Sequence, residues 1–265
     1  MNTTTIELNI DLRGVAYLTL ARADKHNSMD ATMLDELAAA SVEIDRDASV
    51  RAVVLSGAGR SFCAGVDLGW MRRNLELDLI AQRAESQRLS EALHRFARLS
   101  KPLIAKVNGH AFAGGVGLIC ACDIAIGARD AQFSLTETRL GLAPANVAPY
   151  VIARMGARNA RRCMLTSHRF GGDEAVALGL LDQAVDAAEL DAAVERELAE
   201  ALACAPGAIA ATKKMIARIV EMDYAHSTQY ATDALVESWQ QGEVREGIAA
   251  FLDKRKPSWD AEESD

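Results

Sequence analysis

The sequence predicts an α/β fold with a parallel sheet, followed by an all-helical C-terminal region. Three observations predict it. The apolar runs "VRAVVLSG", "PLIAKVNG" and "IAIGA" are short and continuous, as expected of strands buried on both faces of a parallel sheet. Helical patterns separate them, so strand and helix alternate through right-handed crossovers. After about residue 190 no further strand pattern occurs, and "LDAAVERELAEALACA", "AIAATKKMIARIVEM", "YATDALVESWQQ" and "REGIAAFLDKRK" all have helical spacing. This places an α/β core over residues 1–195 and a helical region over 196–265.

At the N-terminus, "TIELNIDL" and "VAYLTLAR" alternate apolar and polar residues around Arg13-Gly14, a hairpin pattern. "MDATMLDELAAASVEID" is a helix with Met33, Leu34, Leu37, Ala38 and Val42 facing inward and Asp30 as its cap. The strand "VRAVVLSG" leads into the loop "AGRSFCAGVDLGW", and a helix follows over about Leu79 to Leu99. The strand "PLIAKVNG" leads into "GHAFAGGVGL", then a short helix "GVGLICACD" and the strand "IAIGA". The acidic tail "SWDAEESD" is expected to fray.

Composition narrows the function. Of 265 residues, half are hydrophobic and a quarter charged, which fits a globular chain with a sizeable core. The net charge of −8 argues against general nucleic-acid binding, which needs a basic surface. No apolar run is long enough to span a membrane, and "MNTTTIELNI" lacks the basic start and apolar centre of a signal peptide, so a cytoplasmic location is expected. The five cysteines, Cys63, Cys120, Cys122, Cys163 and Cys204, form no CxxC pair. Their odd number fits reduced thiols, most of them small buried hydrophobes, and no metal site is expected.

The loop Gly109–Leu118 has four glycines in ten residues, with no lysine and no carboxylate. Gly109 and Gly114 have the spacing of a phosphate-binding loop, but Gly115 and Val116 stand where Lys and Ser/Thr belong. Gly115 and Gly117 lack the third glycine of a dinucleotide fingerprint. No GxSxG elbow or HExxH helix occurs. What remains is a glycine pair at a helix start, where bare N–H groups can approach a carbonyl oxygen and stabilise negative charge on it. A second junction, "FCAGVDL", echoes "FAGGVGL", so both loops can present backbone donors to one ligand beyond the carboxyl ends of their strands.

The segments "LARADKHNSMD", "GAGRSFCAGVDL", "KPLIAKVNGHAFAGGVGLICACDIAIGARDAQFSLTETRLGL", "ALGLLDQAV" and "EGIAAFLDKRKPSW" together resemble the crotonase family, also called the enoyl-CoA hydratase/isomerase superfamily. The resemblance implies a spiral of ββα units, a helical C-terminal trimerisation region and an acyl-CoA thioester substrate. It implies a homotrimer or a dimer of trimers, with coenzyme A as part of the substrate and no separate cofactor. The thioester oxygen then sits on the N–H groups of Val66 and Gly114. Lys25, Ala64, Asp67, Leu68 and Lys254 lie along the implied CoA path, with Arg255 a further phosphate candidate. Asp67 is expected mainly to hold its loop, and a solvated helix end explains Lys254 and Arg255 equally well.

The resemblance also implies two catalytic glutamates. "AQFSLTE" supplies one, Glu137, while Gly117 occupies the position of the other. A double-bond isomerase needs only one base, so this pair favours isomerisation. Against it, "TRLGLAPANVAPYVIARMG" resembles the methylglutaconyl-CoA and carboxygeranoyl-CoA hydratase branch more than the usual "GxxPGxGGT" loop. Hydration of a 2-enoyl-CoA through Glu137 is therefore the preferred reading, with isomerisation or noncatalytic CoA binding as alternatives. Glu137 is expected to have its pKa raised in a partly apolar pocket, unless it is a surface residue paired with Arg139. Asn146, Arg139 or a backbone N–H near Ala145 are candidates to orient water or a substrate carboxylate. A gain in crotonyl-CoA hydration on Gly117→Glu would mean that the site lacks only that acid for ordinary substrates.

Overall fold

The hairpin expected at Arg13-Gly14 opens the computed structural model, which describes residues 3–260. Strand β1 (Ile6–Ile10) pairs antiparallel with β2 (Val15–Leu20), Ile6 opposite Leu20. Helix α1 (Ala31–Arg46) starts at Asp30, whose carboxylate accepts the Met33 N–H at 3.0 Å. Its buried face is Met33, Leu34, Leu37, Ala40, Ser41 and Ile44. Ala38 and Val42, expected to face inward, are only half-buried. From Leu37 the 3.6-residue repeat passes to Ala40, Ser41 and Ile44 instead.

Three strand pairs then repeat one pattern. β3 (Ala52–Gly57) is followed by β4 (Ser61–Cys63), β5 (Leu103–Val107) by β6 (His110–Phe112), and β7 (Ile124–Ala128) by β8 (Gln132–Ser134). The first strand of each pair joins a six-stranded sheet, in which β1 and β2 precede β3, β5 and β7. The second joins a smaller sheet of order β4, β6, β8 and β9 (Phe170–Gly171). Helices close the repeats: α2 (Leu68–Asn74) and α3 (Leu79–Ala97) after β4, α4 (Gly114–Cys120) after β6, and α5 (Ala148–Thr166) after β8. Helix α6 (Gly172–Ala177) leads to β10 (Gln183–Val185), the parallel partner of β7 at the edge of the large sheet. This is the spiral of ββα units that the resemblance implies. Its core includes Leu18, Leu55, Phe62, Phe96 and Phe133, all fully buried.

Side-chain amides tie the turns of the spiral together. Asn108 accepts the Gly57 N–H at 3.0 Å and donates to Gly59 O at 3.0 Å, joining the turn after β3 to the turn after β5. Asn27 is fully buried and left-handed (φ 55°), a conformation asparagine tolerates better than most residues. Its amide donates to Ala58 O and Ser61 O, anchoring the segment before α1 to the β3–β4 turn.

The described residues form two compact units, one of residues up to 99 with 103–195, the other of 100–102 with the chain from 196 onward. The remaining helices are α7 (Leu190–Leu202), α8 (Pro206–Ile219), α9 (Tyr224–Trp239) and α10 (Gly242–Asp253). Within the second unit, Glu243 accepts the Gly207 and Ala208 N–H groups at the start of α8. Lys213 donates to Lys101 O at 2.8 Å. The tail was expected to fray, yet Ser258 N donates to Glu246 and the Trp259 indole donates to Ala203 O. The rest of that tail, residues 261–265, lies outside the described residues. Among the described residues no helix is long and apolar enough to cross a membrane.

Candidate active site

Three neighbouring parallel strands of the small sheet end together, and each delivers one candidate residue. Val66 follows β4, Gly114 follows β6 and Glu137 follows β8. Residues far apart in sequence thus meet at the carboxyl edge of one sheet, where ligands of parallel sheets bind.

Val66 is aimed by strand-like pairing. Met29 N donates to Gly65 O and Asp67 N donates to Met29 O, both at 2.8 Å. Alternation along an extended segment then turns the Val66 N–H to the opposite side. Among the described residues that N–H has no hydrogen-bond partner. The loop is further held by Asp67, whose carboxylate caps α2 at Trp70 N (2.9 Å) and meets Arg22 (3.4 Å) and the Ser28 hydroxyl (3.4 Å). Arg22 also pairs with Asp30 at 3.1 Å. Burial alone would raise the Asp67 pKa, but the Trp70 N–H and the Arg22 charge outweigh it and hold the carboxyl below its ordinary value. Asp67 is thus a loop anchor, as expected, and Arg22 is its partner, which sequence reasoning passed over.

Gly114 is aimed by strain and packing. Ala113, just before it, has φ 47° and ψ −118°, a conformation that favours glycine and costs about 1–3 kcal/mol in other residues. The Gly114 N–H opens α4 and, among the described residues, has no partner. A Cβ added to Gly114 would come within 2.7 Å of the Met29 methyl, and one added to Gly65 within 3.0 Å of Ala113 Cβ. The two loops therefore lie against each other: a side chain at Gly65 would press on the Ala113 loop, whereas one at Gly114 meets first the flexible end of Met29. Helix α4 spans only seven residues, so local N–H groups matter more here than a helix dipole.

Glu137 begins a short 3-10 turn, Glu137–Leu140, directly after the third strand. Among the described residues its Oε2 is buried with no hydrogen-bond partner. Burial pushes its pKa above 4.5, against a smaller lowering by its own backbone N–H. Such a carboxyl is set up to exchange a proton with a bound molecule. The alternative ion pair is not formed: Arg139 is exposed and donates to Ser167 O at 3.4 Å. Asn146 is committed to Ser86, donating to its carbonyl (3.1 Å) and hydroxyl (3.0 Å). The Ala145 N–H is also taken, donating to Ala143 O at 2.8 Å, so it is not free to hold water.

On α4, Gly117 is buried, and its missing side chain has no empty space to fill. A Cβ there would run into Val147 Cγ1 and stand 2.9 Å from Val147 Cβ, with Leu93 Cδ1 at 3.7 Å. A side chain at 117 would therefore meet Val147 first, so Gly117 is not the only residue that has to change to admit a second glutamate. Val147 was missed because nothing in the sequence pairs it with Gly117 before the fold does.

The CoA-path candidates divide between the units. Ala64 N donates to His26 O at 2.9 Å, which brings the exposed Lys25 beside the Ala64 loop, and Leu68 is an exposed first residue of α2. Lys254, in the second unit, ends α10 in the left-handed conformation (φ 54°), while Arg255 is tied to Glu246 at 2.7 Å. Cys63, Cys120, Cys122 and Cys163 are buried and Cys204 is exposed. Burial pushes the Cys63 and Cys120 thiols up to about 12, which leaves them inert as nucleophiles.

The family model for enoyl-CoA hydratase/isomerase matches residues 11–262. The short-chain-enoyl-CoA hydratase of Clostridium acetobutylicum is 30% identical over 244 residues, covering 91% of this chain and 92% of that protein. The 1,2-epoxyphenylacetyl-CoA isomerase of Escherichia coli is 31% identical over 256 residues, covering 93% and 95%. Among solved structures, AtuE of Pseudomonas aeruginosa superposes with a TM-score of 0.94 at 38% identity, over 97% of this chain and 100% of that one.

Proposed function

The chain belongs to the enoyl-CoA hydratase/isomerase family, and from that premise we propose that it hydrates a 2-enoyl-CoA thioester through Glu137. The family fixes the chemistry as that of hydratases and isomerases on an acyl-CoA. The assignment of residues is our reading. The carrying observation is Glu137 itself: a carboxyl oxygen buried without a partner, at the strand edge shared with the free N–H groups of Val66 and Gly114.

The steps follow from those groups. The Glu137 carboxylate takes a proton from water as the oxygen attacks the β-carbon. Charge moves to the thioester oxygen, where two preorganised N–H donors receive it; such a donor contributes about 3 kcal/mol of transition-state stabilisation. Neutral Glu137 then returns the proton to the α-carbon. One carboxyl serves as base and then acid, and the upward shift of its pKa by burial makes its ionised form the stronger base.

Gly117 and the "APANVAPY" loop support a substrate with its own distal carboxylate, of the 3-methylglutaconyl type, which would help place the water. In the first unit, Lys25, Ala64 and Leu68 are proposed to contact CoA, and Lys254 is a separate phosphate candidate in the second unit. A second reading is double-bond isomerisation, favoured by the single carboxylate. A substrate panel separates them. Hydration of 3-methylglutaconyl-CoA in preference to crotonyl-CoA is expected. Shifting of a 3-enoyl double bond with no hydration of any 2-enoyl thioester would replace the proposal with the isomerase. Glu137→Gln is expected to lower turnover at least about a hundredfold, and a fully active variant would overturn the mechanism.

We also propose a closed ring, a trimer or a dimer of trimers. In α8 and α9 no residue is buried, and Ile216, Val220, Leu235 and Trp239 are all more than half exposed. Apolar helices of this kind call for a partner, and closed symmetry supplies one. A monomeric mass by light scattering at micromolar concentration would overturn it.

A further inference from the structure

We propose that Val147 is the residue that commits this site to a single carboxylate, because it fills the place that a side chain on residue 117 would enter. The inference rests on the hydratase reading above but concerns a residue that reading does not use. Val147 is buried, and with Leu93 it closes over the bare backbone of Gly117. Gly117 lies one turn beyond Gly114 on α4, so this contact is one helical step from the proposed hole. Val147 sits just before α5, at the far end of the connection that starts with Glu137. That connection therefore supplies the one carboxyl at its beginning and blocks a second at its end.

The two positions form a complementary pair: no side chain at 117, a branched one at 147. Either change made alone leaves the pair mismatched. A β-carbon at 117 overlaps Val147, and interiors packed at crystal density do not absorb such an overlap freely. Loss of the Val147 side chain leaves a void beside Gly117. A second glutamate is then accommodated only when both positions change together. Val147 and Leu93 keep the surroundings of Gly117 apolar, which leaves water placement to Glu137 and to the substrate. In this way Val147 acts on substrate choice by excluding a group, and it is a positioning residue with no part in proton transfer.

The test is a pair of double-variant cycles. In the first, melting temperatures are measured for Gly117→Ala, Val147→Gly and the two combined. Each single change is expected to lower the melting temperature by about 5 °C, and the combination is expected to recover part of the loss. Losses that simply add would overturn the inference. In the second, Gly117→Glu, Val147→Gly and their combination are assayed with crotonyl-CoA. The combination is expected to hydrate it at least about tenfold faster than the wild type and than either single variant. A gain that a merely structural role does not produce is thereby read directly. A combination that fails to fold, one that folds without gaining activity, or Gly117→Glu matching the combination would each overturn it. Failure of the hydratase reading is separately visible in the wild-type panel, and the melting cycle does not depend on that panel.

Discussion

The loops at 64–67 and 113–117 look alike in sequence and are held by opposite means. The first is fixed by hydrogen bonds: the Met29 pairing on either side of Val66, and the Asp67 carboxylate between Trp70 N and Arg22. The second contains no polar side chain and is fixed by strain at Ala113 and by close contact with Cys63, Met29 and Val147. The two proposed donors are thus held mainly by different means, one by hydrogen bonds and charge and one by packing, with Met29 touching both loops. Changes in charge should act on the first, and changes in volume on the second.

The strongest break in that comparison is removal of a donor. Gly114→Pro deletes the N–H and is expected to lower turnover by about a hundred- to a thousandfold, while CoA affinity changes far less. Gly114→Ala keeps the N–H but places a Cβ 2.7 Å from the Met29 methyl, which can swing aside. A much milder loss is expected. Equal losses in the two variants would mean that packing at Gly114, and not its N–H, carries the effect.

Next in size is the electrostatic anchor. Arg22→Met keeps the side-chain length but leaves Asp30 and Asp67 facing each other without their shared cation. Turnover should fall about tenfold through misplacement of Val66, with the Gly114 loop unaffected. Because Arg22 helps hold the Asp67 carboxyl below its ordinary pKa, its loss should also raise the Asp67 value. Titration of Asp67 by NMR checks this, and an unmoved value would remove Arg22 from the anchor.

Much of this was legible in the sequence. Strands β1, β2, β3, β5 and β7 and helices α1, α3, α4 and α7 to α10 follow from apolar runs and periodicity, Asp30 follows from its place before a helix, and Glu137 follows only from the family resemblance, while β10, α2, α5 and α6 were not read. The small sheet was not legible, because β4, β6 and β8 are three residues each, too short to show alternation. Yet that sheet is what brings Val66, Gly114 and Glu137 to one edge. Arg22 and Val147 were hidden for a related reason: each matters only through a partner distant in sequence, Asp67 for one and Gly117 for the other. The strain at Ala113 gave no signal either, since alanine ordinarily marks a relaxed position.

The smallest expected effect concerns Glu137 and pH, and it separates a site tuned for chemistry from loops tuned for stability. Burial raises the Glu137 pKa above 4.5 in the folded chain. Below the unfolded value the carboxyl is neutral in both states and no penalty arises. As pH rises past that value, the unfolded chain ionises first, so the folded state loses relative stability until its own, higher pKa is passed. Asp67 has the opposite sign: its lowered pKa gives stability that is present above the unfolded value and lost as pH falls through the folded one. Glu137→Gln should therefore raise the melting temperature at pH 7.5 by a degree or two, roughly, and leave it nearly unchanged at pH 4. Asp67→Asn should lower it at pH 7.5. Thermal melts of both variants at the two pH values decide the matter. A Glu137→Gln variant less stable than the wild type at pH 7.5 would show that the carboxylate is satisfied in the folded chain, and the case for Glu137 as an unpartnered base would fail with it.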